Sequence, residues 1–392
     1  MAVPRTRPGT YPAIFSYGFR PFFLAGALYA GLTIVAWLPL FYGYVETESL
    51  FAPVDWHIHE MLFGYLAAVV TGFLLTAIPN WTGRLPVQGM PLFALFLLWL
   101  AGRFAVFFSS DIGWLAAMLV DCAFLVAVAT AAAVEIVAGR NWRNLKVLLP
   151  LAVLFFANVL FHIEARFSGS SDVSRRLAIA AAIMLIMIIG GRIIPSFTRN
   201  WLVRQNPGRL PQPFGRFDIA AIVVSGFALA AWTVVPDWIG TGVALVMAGA
   251  ANAARLVRWA GYRTLRDPLV FVLHAAFLFV PVGFLLAACA AIAPDQVPMA
   301  AGIHAFAAGA IGGMTLAVMT RATLGHTGHD LRAGPATCTL FVAVIASALL
   351  RIAAAFLPAS TILLHASACL WSIAFLGYVI FFGRMLVMPR QR

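Results

Sequence analysis

Apolar stretches of about 18 or more residues recur from one end of this chain to the other, joined by short polar links; each is long enough to cross a bilayer as a helix. No other feature constrains the fold as strongly. In hydrocarbon a backbone must satisfy its own hydrogen bonds, so open-edged sheets are excluded and packed helices remain. Of the 392 residues, 62% are hydrophobic and 10% charged, against roughly 25% charged in an average soluble domain. The sequence therefore predicts an all-α integral membrane protein with twelve spans, at 20–41, 59–79, 90–108, 112–137, 146–167, 176–195, 217–235, 238–259, 268–293, 297–320, 335–357 and 360–385. No interval is left for a soluble domain. The reading is one transmembrane domain over 20–387, between an N-terminal tail of 1–19 and a C-terminal tail of 388–392.

A net charge of +12 would suggest nucleic acid for a soluble protein; in a membrane chain its distribution reports topology. Arg84, then Arg140, Arg143 and Lys146, then Arg199, Arg204, Arg209 and Arg216, then Arg255, Arg258, Arg263 and Arg266, then Arg321 and Arg332 fall on one side with both termini. Glu46, Glu48, Asp55, Asp111, Asp237 and Asp295 fall on the other. Both termini are thus expected in the cytoplasm, with Arg166, Arg175 and Arg176 as the discordant loop. The opening MAVPRTRPGT is basic and proline-rich and leads into the first span without a small-residue cleavage site, which predicts a cytoplasmic tail. Pro79 and Pro195 are read as helix ends.

A sequence echo accompanies this pattern. Ile194-Pro195-Ser196-Phe197-Thr198 repeats the character of Ile78-Pro79-Asn80-Trp81-Thr82, and Gly190, Gly191, Thr198 and Arg199 recur as Gly312, Gly313, Thr320 and Arg321. These segments belong to spans two, six and ten, a spacing that suggests three related four-helix units or chance matches in a biased composition.

The polar residues inside the spans carry the chemistry. None of the four cysteines (Cys122, Cys289, Cys338, Cys369) lies in a C-x-x-C or C-x-x-C-H motif, so a thiolate metal site and covalently attached haem are not expected. Histidine is the alternative ligand. His57, His59 and Glu60 stand at the outer mouth of span two, and His162 and Glu164 at the outer end of span five. His57 and Glu60 share a helix face, whereas His59 is turned about 200° from His57. Both histidines cannot serve one ion on a regular helix; the bland reading is that they face interfacial water. His304 sits among Ala300, Ala301, Ala307, Ala308 and, further along, Gly312. This flat face has room for a haem plane, or for a closely packed neighbouring helix. His274 lies in an apolar helix, and His326 and His329 follow span ten in the loop GHTGHD.

Four stretches, WHIHEMLFGY (56–65), IPNWTGRLP (78–86), GGRIIPSFTRN (190–200) and HAFAAGAIGGMTLAVMTRATLGHTGHDL (304–331), resemble the NnrS family of bacterial inner-membrane proteins. The likeness spans nearly the whole chain. It implies a multi-pass protein of the bacterial inner (cytoplasmic) membrane with about twelve helices, containing haem and copper, that protects denitrifying or host-exposed bacteria from nitrosative stress. The family's motif histidines fall on His57, His59, His304 and His326, with Glu60 in the first motif. The resemblance implies b-type haem held by imidazole, with His59, His304, His274 and His326 as candidate cofactor-binding residues, and copper on His57 with His162.

Two kinds of function follow. In the catalytic one, a haem and copper centre binds nitric oxide and reduces it to nitrous oxide, with quinol or another donor supplying electrons and Glu60 delivering protons or ligating metal. In the other, the protein transports or sequesters a metal, haem or nitrosyl-metal complex.

Overall fold

The computed structural model describes residues 11–205 and 208–391, apart from the side chain of Arg143; residues 1–10 of the expected N-terminal tail lie outside them. Every regular element among the described residues is helical. Twelve helices are long and apolar enough to cross a membrane: α1 Phe19–Phe41, α2 Pro53–Thr82, α3 Met90–Phe107, α4 Trp114–Ala138, α5 Asn144–Phe167, α6 Asp172–Leu202, α7 Arg216–Val234, α8 Ile239–Arg258, α9 Pro268–Ile292, α10 Met299–Thr327, α11 Pro335–Phe356 and α12 Thr361–Val387. The protein is a multi-pass helical membrane protein.

Three helices run past their expected ends. α2, α6 and α10 contain 30, 31 and 29 residues, and Pro79 and Pro195 lie inside α2 and α6 instead of closing them. Proline removes one N–H from the ladder, and polar side chains next to each proline add bonds to nearby carbonyls. The Asn80 amide donates to Thr76 O at 3.2 Å, and the Thr198 hydroxyl donates to Ile194 O at 2.8 Å. α2 stops only at Gly83, whose φ of 70° gives the left-handed cap that a glycine adopts without strain. At its other end α2 begins at Pro53, a first-turn proline with its φ already helical. His57, His59 and Glu60 consequently lie within the helix and not at its first turn.

The same three helices each contain a π-turn: Glu60–Leu66 in α2, Ile186–Gly190 in α6 and Ala305–Gly312 in α10. In α2 and α10 the π-turn starts at the residue after a histidine, His59 and His304 respectively.

The chain divides into two compact units. The first comprises the chain up to Ala178, Met319–Asp330 and Phe375 onward; the second comprises Ile179–Val318 and Leu331–Ala374. In the first, the buried Arg20 guanidinium closes the C-terminal end of α12 by donating to Leu386 O at 2.9 Å and Met388 O at 2.6 Å, a cation on the negative end of a helix dipole. In the second, Arg255, expected in a basic loop, is fully buried in α8. Its Nε donates to Asp218 at 3.0 Å, Nη1 to the Asn252 side chain at 3.0 Å and Nη2 to Met187 O, within the α6 π-turn, at 3.0 Å. A buried cation is tolerable only when its donors are met in this way.

Candidate metal centre

The first unit holds a sealed polar cluster built from five helices. α2 supplies His59 and Glu60, both fully buried; α3 supplies Arg103, α4 Asp121, α5 Asn158 and His162, and α1 Tyr29. These polar residues lie on predominantly apolar spans, and each finds its partner in another member. The Arg103 guanidinium bridges both carboxylates, Nη1 to Glu60 Oε2 at 2.5 Å and Nη2 to Asp121 Oδ1. The Tyr29 hydroxyl also donates to Glu60 Oε2. His59 spans the same two carboxylates from the other side, with Nδ1 3.0 Å from Glu60 Oε1 and Nε2 3.2 Å from Asp121 Oδ2.

Asn158 and His162 complete the ring. The Asn158 amide donates to Asp121 Oδ2 at 2.7 Å, which turns its carbonyl oxygen toward His59 Nε2 at 3.0 Å. His162 Nε2 is 3.2 Å from the same Asp121 oxygen. One ligand atom each from His59, Asp121 and His162 therefore converge, all within 4.8 Å of one another.

Apolar rings enclose the convergence. Phe51, Phe63 and Phe161 lie 5.0, 5.1 and 5.2 Å from the His59 ring, centroid to centroid, and Phe51 is also 5.1 Å from His162. Phe51 comes from the α1–α2 connection, which is tied down where Leu50 N donates to the Ser109 hydroxyl at 2.8 Å and Ser110 N to Glu48 O at 2.9 Å. Glycine makes the cluster possible at one point: a Cβ on Gly64 would stand 2.8 Å from Glu60 Oε2, 2.8 Å from Tyr29 Cε1 and 3.0 Å from Arg103 Nη1.

This donor set suits a transition-metal ion. Two imidazoles and a carboxylate are ordinary ligands for copper or zinc. A ligating histidine is typically held by a carboxylate on its other nitrogen, the position of Glu60 on His59 Nδ1.

The remaining histidines stand elsewhere. His57 stacks on Trp37 with ring centroids 4.5 Å apart, on the opposite side of α2 from His59 as their 200° separation requires. The structure thus brings His162 together with His59, whereas His57 is not among the converging donors. His326 lies in the last turn of α10, not in a loop, and packs against Tyr17 and Phe19 at 5.6 and 5.4 Å.

In the second unit, His274 meets Thr198, whose hydroxyl is spent on Ile194 O, so His274 Nε2–H donates to it at 2.8 Å. His274 Nδ1 has no hydrogen-bond partner, and a Cβ on Gly261 would collide with it. His304 Nδ1–H donates to Ala300 O at 2.7 Å, which in the neutral ring leaves Nε2 as the basic nitrogen, as an axial haem ligand requires. The expected flat face is partly filled: the Trp371 ring covers Gly312 and Phe279 covers Gly309. Ala300 and Ala307 remain half-buried.

Sequence reasoning found His59, Glu60 and His162 but not Asp121, Arg103, Asn158 or Tyr29. The available signal was cost: Arg103 and Asp121 are opposite charges within apolar spans, and such residues need a partner.

Fold and site together define a multi-pass membrane protein with a buried, carboxylate-supported histidine cluster able to hold a metal ion. The profile of the NnrS protein family matches residues 13–390, and the chain belongs to that family. Membership supports a role in the nitric oxide response. No curated protein sequence shows significant similarity to the chain.

Proposed function

We propose that this protein is a haem and copper protein of the bacterial inner membrane that detoxifies nitric oxide by reducing it to nitrous oxide. Copper is held by His59, His162 and Asp121, and b-type haem by His304. The observation that carries the reading is the convergence of two imidazoles and a carboxylate inside a buried aromatic wall. When bound, the metals supply nitric oxide binding and electron transfer.

The chain's own residues do the rest. Glu60 fixes the His59 ring through Nδ1, and Arg103 fixes both Glu60 and Asp121. Phe51, Phe63 and Phe161 exclude water while admitting a small uncharged gas. Joining two molecules of nitric oxide into nitrous oxide and water consumes two electrons and two protons; quinol or another donor supplies the electrons. Glu60, bonded to the Tyr29 hydroxyl and the Arg103 guanidinium, acts as the carboxylate that positions His59.

Metal analysis and a pyridine haemochrome spectrum on the wild type, His162→Ala and His304→Ala test the assignment. Copper should be lost with haem retained in the first variant, and haem lost in the second. An unchanged metal content in His162→Ala would remove the copper site, and an unchanged haem spectrum in His304→Ala would remove that ligand. Turnover is tested separately, by nitrous oxide formation from nitric oxide with a reduced quinol. Metal or haem binding without nitrous oxide would instead support a sequestering or transporting protein.

A further inference from the structure

We infer that the arginine-rich face of the second unit carries a binding site for an anionic phospholipid with two phosphodiester groups, a cardiolipin, held by Arg192 and Arg258. The site needs no occupant of the metal centre.

One buried hub sets its three helices in register. Arg255, in the last turn of α8, bonds Asp218 in the first turn of α7 and Met187 O in α6. Arg258 closes α8, and Arg192 follows Met187 by little more than a turn, so both stand just beyond the hub on the side where α7 begins. The connection leading into α7 is fastened to the end of α8, where Gln212 N donates to Arg258 O at 3.1 Å. This connection and the start of α7 set a ring against each guanidinium: Arg192 Cζ lies 5.2 Å from the Phe214 centroid, and Arg258 Cζ 4.7 Å from the Phe217 centroid. A ring face holds a guanidinium by its plane and leaves the N–H edge open to a ligand.

Both arginines are half-buried, and neither guanidinium makes a hydrogen bond or ion pair with a described residue. The carboxylates nearby in the chain on this side are engaged elsewhere. Asp218 accepts from Arg255 Nε at 3.0 Å and from Gly215 N at 3.1 Å, and Asp267 accepts from Leu269 N at 3.1 Å. Two fixed cations, partly shielded from water and without a protein counter-charge, call for an external anion. Depth identifies its source. Phe214 precedes α7, a 19-residue span, so the ring it sets against Arg192 marks the level at which α7 leaves the hydrocarbon. The anions at that level are lipid headgroups, and the arginine excess marks the face as cytoplasmic by the positive-inside rule. Phosphate oxygens match the guanidinium fork, and two propped guanidiniums on adjoining elements suit two linked phosphates.

The test adds cardiolipin, zwitterionic phosphatidylcholine or inorganic phosphate to the purified, delipidated full chain in detergent and follows retention by native mass spectrometry and Tm. The expected result is a single tightly held cardiolipin that raises Tm, with no such rise from phosphatidylcholine. Arg192→Gln combined with Arg258→Gln should weaken cardiolipin at least about 10-fold. Arg266→Gln, which removes an exposed charge from the same face, should stay within about 2-fold of the wild type. Phe214→Leu combined with Phe217→Leu keeps both charges, removes the props and should weaken binding about 3-fold; it carries the test if the arginine pair fails to fold. Cardiolipin held no better than phosphatidylcholine, or an equal loss in Arg266→Gln, would overturn the site. Inorganic phosphate bound as tightly as cardiolipin would overturn the lipid assignment. So would loss of haem from the double arginine variant in a pyridine haemochrome spectrum, because the guanidiniums would then hold a cofactor carboxylate.

Discussion

Arg103 is the residue on which the cluster's electrostatics can be tested most sharply. Its guanidinium is the one fixed cation among these side chains and bonds Glu60 and Asp121 simultaneously. Arg103→Met keeps an unbranched apolar side chain in α3 and removes both bonds. Each charge-assisted bond is worth roughly 1.5–3 kcal/mol, and stranding a buried carboxylate by deleting its partner costs about 3–5 kcal/mol. The two estimates agree on a loss of about 3–5 kcal/mol. At roughly 2.1 cal/mol/K of unfolding entropy per residue, that is a fall of about 4–6 °C in Tm for a chain of this length. Unfolding of the detergent-solubilised protein, followed by tryptophan fluorescence, measures it. Arg103→Lys should fall between, because an ammonium carries the charge but cannot span both carboxylates with a planar fork. Arg103→Met combined with Glu60→Gln should recover about 1–2 kcal/mol of the single-variant loss, since one stranded charge is gone. An Arg103→Met protein melting within about 1 °C of the wild type, or a double variant less stable than the single, would refute the reasoning.

Three further outcomes follow from individual contacts. Gly64→Ala drives a methyl between Glu60, Tyr29 and Arg103 and should cost about 1–3 kcal/mol; metal analysis should show a lower copper content than the wild type, and an unchanged content would mean the three groups need not meet. Thr198→Val removes the acceptor of His274 Nε2–H and should cost about 1–3 kcal/mol, read as a lowered Tm with metal content unaltered. Arg255→Met removes one of the two donors to Met187 O and strands Asp218, for a loss of about 3–5 kcal/mol. Hydrogen exchange should then rise at the α6 π-turn, and His162-dependent metal uptake should stay at the wild-type level because no bond of the metal cluster involves Arg255.

Much of the fold was legible because hydropathy over a whole span is a sum of many small transfer energies, and one polar residue does not alter it. All twelve spans are found this way, Arg103, Asp121 and Asn158 notwithstanding. The errors fall where a single-residue rule was set against the sum. Pro79 and Pro195 were read as helix ends, although each helix continues past its proline, to Thr82 and Leu202. Arg255 was counted among loop charges because it borders a basic segment, yet it turns inward to Asp218. The candidate site was half legible for a related reason. His59 and Glu60 stand out as a run of polar residues on one helix, whereas Asp121, Asn158 and Arg103 stand alone on three others. Their significance is a matter of pairing across the bundle, which no periodicity within a single helix encodes.

The π-turns connect the sequence echo to the site. Spans two and six share the Ile-Pro and Thr element and spans six and ten the Gly-Gly and Thr-Arg element in sequence, and among the described residues these are the three spans that carry a π-turn. A π-turn widens the helix by one residue and leaves carbonyls out of the regular ladder, open to outside donors. Two carbonyls of these turns accept from buried side chains in addition to a backbone N–H, Gly64 O from the Trp99 indole at 3.0 Å and Met187 O from Arg255 at 3.0 Å. In α2 the widened turn starts at Glu60, the residue that bonds its own neighbour His59, and it includes Gly64, whose bare Cα makes room for Arg103. In α10 the turn starts directly after His304. The irregularity in α2 thus spans the stretch where Gly64 lets Glu60, Tyr29 and Arg103 meet, so the close approach of these three groups depends on that glycine.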